Sequence, residues 1–226
     1  MDTDKPFNIE SWHEIVVVFD LDDTLYAEAD YVLSGKRAVA NMVDELFGQD
    51  IAKDVMACEG DFLEYICRRL NLPQLAKTSL LWHYRLHRPE ISLRDGAKEV
   101  IQFLRKKSVP ICLITDGRSV TQRLKIAALD LDFDAIYISE EVGVGKPDAR
   151  AFALVEAQWQ RTKHMYIGDN ITKDFIAPNA RGWITCGLRS DSRHIHNNQG
   201  QAVLDEQLPK YWINDFEQLK RLLLTI

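Results

Sequence analysis

The sequence predicts an α/β protein: a doubly wound parallel sheet with a small helical domain inserted after its first strand. Two observations carry this. Short apolar runs rich in β-branched or aromatic residues alternate with amphipathic stretches, the pattern of βαβ units whose parallel sheet is covered by helices on both faces. One interval, residues 29–88, breaks the alternation with helix-like periodicity and no convincing strand.

The first strand is residues 15–19, an unbroken apolar run of the kind buried on both faces of a sheet. Helical spacing follows over 31–47, 51–57 and 60–70, then over 73–87. A helix over 97–107 leads into a strand over 111–114, and a helix over 119–129 into a strand over 135–139. The pattern continues with a helix over 149–159 and strands over 165–167, 183–186 and 211–213, and it closes with a helix over 215–224. Residues 188–210, which contain Asn197-Asn198-Gln199-Gly200, have weak periodicity and read as a long loop. The chain thus divides into a core of residues 1–28 and 89–226 and a helical domain of residues 29–88.

With 226 residues, 46% hydrophobic and 27% charged, the chain suits one core domain with a smaller elaboration. A net charge of -6 provides no basic footprint for nucleic acid or an anionic membrane. An anionic substrate must then be captured locally, by a metal or a few placed cations. Cys58, Cys67, Cys112 and Cys186 form no CxxC pair and read as reduced thiols of a cytoplasmic protein. The opening MDTDKPFNIE lacks the basic start and apolar stretch of a signal peptide, and no run is long enough to span a membrane.

The first strand ends in Val16 to Tyr26, VVVFDLDDTLY, with three acids in four residues. If the extended conformation continued, Asp20, Asp22 and Thr24 would share one side. Later strand ends and loops supply partners. Ile114-Thr-Asp-Gly117 offers a hydroxyl and backbone N–H groups at a strand-to-helix turn, a natural phosphate cradle. Gly143-Val-Gly-Lys-Pro-Asp148 puts Lys146 in a loop with Pro147 at a helix start, and Gly168-Asp-Asn-Ile-Thr-Lys-Asp174 adds Asp169 and Asp174. Taken singly, each has an ordinary reading as a cap, a solvated lysine or a turn. Their order and their placement at strand ends point instead to one site.

DLDDT, ITDG, GKPD and GDNITKD resemble the four motifs of the haloacid dehalogenase-like hydrolases, and the helical insertion resembles their C1-type cap. The resemblance covers residues 15–213. It implies a Rossmann-like core in which Asp20 is the nucleophile and Asp22 the general acid and base. Thr115, Asp116 and Lys146 fall at phosphate-binding positions. Asp20, the backbone carbonyl of Asp22 and Asp169 would hold Mg2+, with Asp174 supporting the metal site. Asp23 and Thr24 read as turn-shaping residues. The dehalogenase branch usually lacks an acid at the position of Asp22, so its presence implies phosphoryl transfer, in a phosphatase or a phosphomutase.

Many relatives have Asn where this chain has Asp116, whose charge would repel phosphate unless turned away or paired; Arg118 is a candidate partner. Substrate choice belongs to the insertion, where Trp82, His83, Tyr84, Arg85, His87 and Arg88 form an aromatic and cationic cluster. Trp82, Arg85, Arg88 and, from the first motif, Tyr26 are the candidates for substrate contact; alternatively Trp82 and Leu86 pack while the cations coat a helix. His194 and His196 suggest a metal pair but have no third ligand nearby in sequence. The expected activity is Mg2+-dependent hydrolysis of a small phosphorylated metabolite, a sugar phosphate first and a nucleoside monophosphate next, through an aspartyl-phosphate. A β-phosphoglucomutase-like phosphomutase is the alternative, and a non-catalytic binding protein on the same scaffold comes after it.

Overall fold

The computed structural model describes residues 11–191, 194 and 204–224. Six parallel strands form one sheet: β1 (Ile15–Phe19), β2 (Ile111–Thr115), β3 (Ala135–Ile138), β4 (Lys163–Gly168), β5 (Ile184–Leu188) and β6 (Tyr211–Ile213), in the order β3-β2-β1-β4-β5-β6. β1 is therefore interior, with Phe19 beside Leu113 of β2 on one flank and Ile167 of β4 on the other. Strand order reverses here, and ligands of such sheets bind beyond the carboxyl ends at that point.

Alternation along β1 supplies two cores at once. Ile15, Val17 and Phe19 join the apolar cluster on one face, while Val16 and Val18 join the cluster on the other. The first face is covered by α5 (Ala97–Lys106), α6 (Ser119–Ala128) and α10 (Phe216–Leu223), whose Val100, Leu104, Ile126 and Leu219 pack into it. The second is covered by α8 (Arg150–Gln158) and α9 (Ile176–Ala180), through Phe152, Val155 and Ala177. These are the two helical layers that the sequence predicts.

The interval after β1 contains α1 (Glu28–Phe47), α2 (Ala52–Ala57), α3 (Phe62–Arg69) and α4 (Ala76–Leu86). Gly48 ends α1 in the left-handed region at φ 63°, and its N–H donates to the Asp44 carbonyl. Asp61 caps α3 by accepting from the N–H groups of Leu63 and Glu64. Val39, Val43, Val55, Leu63, Ile66 and Leu80 bury one another in a cluster separate from the two sheet faces. The insertion therefore carries an apolar core of its own.

Some expectations need correction. The fifth strand starts at Ile184, one residue after the buried Trp183, and runs on to Leu188. α8 starts at Arg150, so Pro147 lies in the preceding loop and not at a helix start. A short helix, α7 (Ser139–Val142), follows β3 where only a strand end is legible. Residues 1–10, His196 and Asn197–Gly200 lie outside the described residues. Among the described residues no helix is long and apolar enough to cross a membrane.

Candidate active site

The site forms where the chain leaves β1. Pairing persists to Asp20, whose N–H donates to the Ile167 carbonyl at 2.8 Å. Beyond Asp22 the chain turns: Asp23 adopts φ 56°, and the Leu25 N–H donates to the Leu21 carbonyl at 3.0 Å. Extended alternation stops here. Thr24 is brought back over Asp20 by the turn, where its hydroxyl lies 3.3 Å from Asp20 Oδ2 and 3.2 Å from Asp169 Oδ1. Thr24 is thus more than a turn-shaping residue, because it ties the first motif to the fourth. Asp23 does shape the turn, accepting the Glu28 N–H at 2.9 Å.

Lys146 arrives from the loop after α7 with its ammonium 2.6 Å from Asp20 Oδ1, 2.7 Å from Asp174 Oδ1 and 2.9 Å from the Tyr166 hydroxyl. Burial works against its charge, but the Asp174 and Asp20 carboxylates outweigh that and hold the ammonium well above its ordinary pKa. Asp174 is fully buried, and its Oδ2 accepts the N–H groups of Asp169 and Asn170 at 3.2 and 2.9 Å. It therefore fixes the loop beyond β4 as well as Lys146.

Oxygens of Asp20, Asp169 and Asp174, all buried, lie within 4.8 Å of one another. Burial, together with the Asp174 charge and against the pull of Lys146, pushes the Asp20 carboxyl up to about 7, and burial with Asp174 and Asp20 also raises Asp169. The ammonium of Lys146, even with the more distant charge of Lys173, does not neutralise three crowded carboxylates. An all-oxygen set with excess negative charge suits a hard divalent cation, and Mg2+ fits these donors.

Asp22 has different surroundings. Its Oδ1 lies 2.7 Å from Lys125 Nζ and also accepts from the Tyr26 hydroxyl, while Oδ2 accepts from Gln122 Nε2 at 2.8 Å. Burial would raise this carboxyl, but the Lys125 charge and the three hydrogen bonds outweigh it and hold Asp22 below its ordinary value. Two neighbouring acids are thus driven in opposite directions. Thr115 is also buried, and its hydroxyl lies 2.6 Å from the same Gln122 nitrogen.

The cavity at this point is about 30 Å³, room for little more than a water molecule, and is lined by Asp20, Asp22, Asp23, Glu28, Asp116, Asp169, Asn170 and Lys173. Thr115 and Lys146 stand behind it. The partner of Asp116 is Lys173, at 3.3 Å, and not Arg118, which pairs with Glu140. Asp116 Oδ1 also accepts the Lys146 N–H at 3.0 Å, so its charge is turned to the loop. Tyr26 is completely buried with its hydroxyl on Asp22, and it does not line the cavity. Trp82 is 44% exposed and Leu86 48%, so neither is a core residue, and the guanidinium groups of Arg85 and Arg118 each lie 5.5 Å from the Trp82 ring centre. Neither these residues nor the exposed Arg88 line the cavity. His194 pairs with Asp191, which also takes a hydrogen bond from Arg94 at 2.7 Å; Arg94 in turn lies 3.9 Å from Asp23.

Sequence reasoning missed Gln122, Lys125, Tyr166 and Lys173. Lys173 sits inside the fourth motif and was legible as a charge, whereas Gln122 and Lys125 look in sequence like ordinary polar residues of an amphipathic helix.

A family model described as haloacid dehalogenase-like hydrolase matches residues 16–180. The chain is 24% identical over 222 residues to glyceraldehyde 3-phosphate phosphatase of Methanocaldococcus jannaschii, covering 90% of this chain and 94% of that protein. It is 29% identical over 195 residues to ribulose-1,5-bisphosphate 5-phosphatase of Halopiger xanaduensis, covering 74% and 81%. Among solved structures, the hydrolase YfnB of Bacillus subtilis bound to magnesium shares the fold with a TM-score of 0.62 at 18% identity, over 92% of this chain and 97% of that one. The family match starts within β1 and ends at the last residue of α9, a span that contains every side chain meeting at the carboxylate cluster. On that match the chain belongs to the haloacid dehalogenase-like hydrolases.

Proposed function

We propose that the protein is a Mg2+-dependent phosphatase of a small phosphorylated metabolite, and that a sugar phosphate is its preferred class, ahead of a nucleoside monophosphate. The observation that carries this is the buried meeting of Asp20, Asp169 and Asp174 around Lys146, placed directly beyond β1. The two phosphatase relatives support the reaction class and the sugar-phosphate preference.

In this reading Asp20, Asp169 and the Asp22 carbonyl hold the cation, and Asp174 keeps their loop in place. When bound, Mg2+ supplies positive charge that lets an anionic carboxylate approach an anionic phosphate. A carboxylate oxygen of Asp20 bonds to phosphorus as the ester P–O bond breaks, and Asp22 gives its proton to the departing oxygen. Water then adds to the phosphorus and gives a proton back to Asp22; the bond to Asp20 breaks and phosphate leaves. Lys146, Thr115, the N–H of Asp116 and the ammonium of Lys173 are the donors for the phosphoryl oxygens. Donors now occupy both oxygens of Asp22, the arrangement of its deprotonated form, in which it takes a proton from water; to carry the proton that it gives to the leaving oxygen, Asp22 must first be released by one of these donors. The helical insertion, residues 29–88, acts as the cap, since a cavity of about 30 Å³ must open to admit an ester.

Phosphate release from p-nitrophenyl phosphate tests this: it should require Mg2+ and disappear in Asp20→Asn. Unchanged turnover in that variant would sink the mechanism. A panel of phosphorylated metabolites then ranks the substrates, and phosphoryl relocation without free phosphate would mark a phosphomutase instead.

A further inference from the structure

Lys125 belongs to none of the four motifs, yet its side chain is buried and its ammonium meets Asp22 Oδ1 at 2.7 Å. It leaves α6 three residues after Gln122, so both side chains project from one helix face. Gln122 Nε2 reaches the other oxygen, Asp22 Oδ2, at 2.8 Å, and its second hydrogen is directed at Thr115 Oγ1, 2.6 Å away. Each oxygen of Asp22 therefore takes a donor from the same helix, which sets the plane of the carboxyl as well as its location. The ammonium is itself held in place, 4.3 Å from the Tyr31 ring centre and 5.9 Å from that of Tyr26.

Two roles compete for a buried lysine beside a phosphate site. The Lys173 ammonium faces the cavity, whereas the Lys125 ammonium is enclosed by Asp22 Oδ1 and the rings of Tyr31 and Tyr26, on the side of Asp22 away from the carboxylate cluster of Asp20, Asp169 and Asp174 that Lys146 joins. Stability is a poor reason for the pair, because desolvation of two buried charges offsets most of their attraction. We propose that Lys125, acting with Gln122, is a positioning residue that aims the Asp22 carboxyl at the ester oxygen, and that it binds no phosphate. This rests on the reading of Asp22 as the proton donor. α6 is also the helix on which the insertion rests: the Thr121 hydroxyl donates to the Arg85 carbonyl at 3.3 Å, and Arg118, at its start, shares the Trp82 ring with Arg85.

The test compares kcat/KM for two esters, p-nitrophenyl phosphate, whose leaving group departs without a proton, and glycerol phosphate, whose alkoxide needs one. This ratio reports the steps through departure of the leaving group, so activation of water in the second half does not confuse it. Lys125→Met should lower kcat/KM for glycerol phosphate roughly thirty-fold or more, a part of the roughly 10²- to 10⁴-fold that general acid catalysis supplies, while changing the nitrophenyl ester less than about three-fold. Competitive inhibition by inorganic phosphate should stay within about two-fold of the parent, as expected for a residue that touches no phosphate. Adding Lys125→Met to Asp22→Asn should cause no further loss. Equal losses on both esters with weaker phosphate inhibition overturn the proposal and make Lys125 a phosphate ligand. So does a double variant in which the two losses multiply. If Asp22→Asn itself loses equally on both esters, the reading of Asp22 fails and the proposal falls with it, an outcome distinct from the first two. Lys125→Gln, which keeps a donor without the charge, takes the place of Lys125→Met if that variant does not fold.

Discussion

The ammonium of Lys146 lies 2.6 Å from the Asp20 carboxylate, a contact between residues 126 positions apart in which both side chains are buried. Lys146→Met would leave Asp20 and Asp174 facing each other in a desolvated space. Urea unfolding should show a loss of about 3–5 kcal/mol. Adding Asp20→Asn removes one of the stranded charges and should return part of that loss; a double variant less stable than Lys146→Met would contradict the account.

Metal and proton compete for the same carboxylates. Burial pushes Asp20 up to about 7 and, with the neighbouring acids, Glu28 up to about 7 as well. In the metal-free protein these groups keep their protons to higher pH than in the unfolded chain. Their contribution to stability is therefore present at low pH and is lost as pH rises from about 4 through about 7. Mg2+ binds the deprotonated form, so its gain in Tm should be several degrees at pH 8 and close to nothing at pH 5. Thermal melts with and without Mg2+ check this, and equal gains at the two pH values would refute it.

Thr24 donates a single hydrogen shared between Asp20 and Asp169. Thr24→Val keeps the shape and removes that hydrogen. Mg2+ affinity should fall about 10- to 100-fold, the usual effect of removing a group that orients metal-binding side chains. Isothermal titration measures it, and unaltered affinity would make Thr24 a turn residue after all.

Gly168 ends β4 where a Cβ would sit 2.6 Å from Asp174 Oδ2 and 2.9 Å from the Tyr166 ring. Both neighbours are buried and have no room to retreat. Gly168→Ala should destabilise by about 1–3 kcal/mol and, by displacing Asp174 from Lys146, remove most of the activity. Full activity in a stable variant would show that the site tolerates movement of Asp174.

The fold was legible because the parallel sheet writes itself as apolar runs: Ile15 to Phe19 are buried to the last atom, and helical periodicity fills the gaps. Asp20, Asp169 and Asp174 were legible as a group because they follow β1 and β4, and strand ends converge in such a sheet; Lys146, in the loop after α7, was legible through the motif that contains it. Gln122 and Lys125 were not, since what distinguishes them is the direction in which α6 presents them across the sheet edge. Thr24 reads in sequence only as part of the turn, because its place over Asp20 and Asp169 depends on the left-handed backbone of Asp23, which no local pattern announces. Trp82 drew attention by its composition, but its neighbour Arg118 comes from the core, which no local pattern in the insertion announces.

The independent apolar cluster of α1–α4 and the far-flung origin of the site together set an order of assembly. Val39 to Leu80 can collapse on themselves from a short stretch of chain, whereas Asp20 meets its partners only when residues 146 to 174 have been made. Contacts of short sequence separation form first. On the ribosome the helical insertion should then be compact while the carboxylates of the first motif are still hydrated and far from Lys146. The carboxylate cluster can assemble only once the chain has been made through Asp174, beyond β4, so catalysis is withheld from every shorter nascent chain.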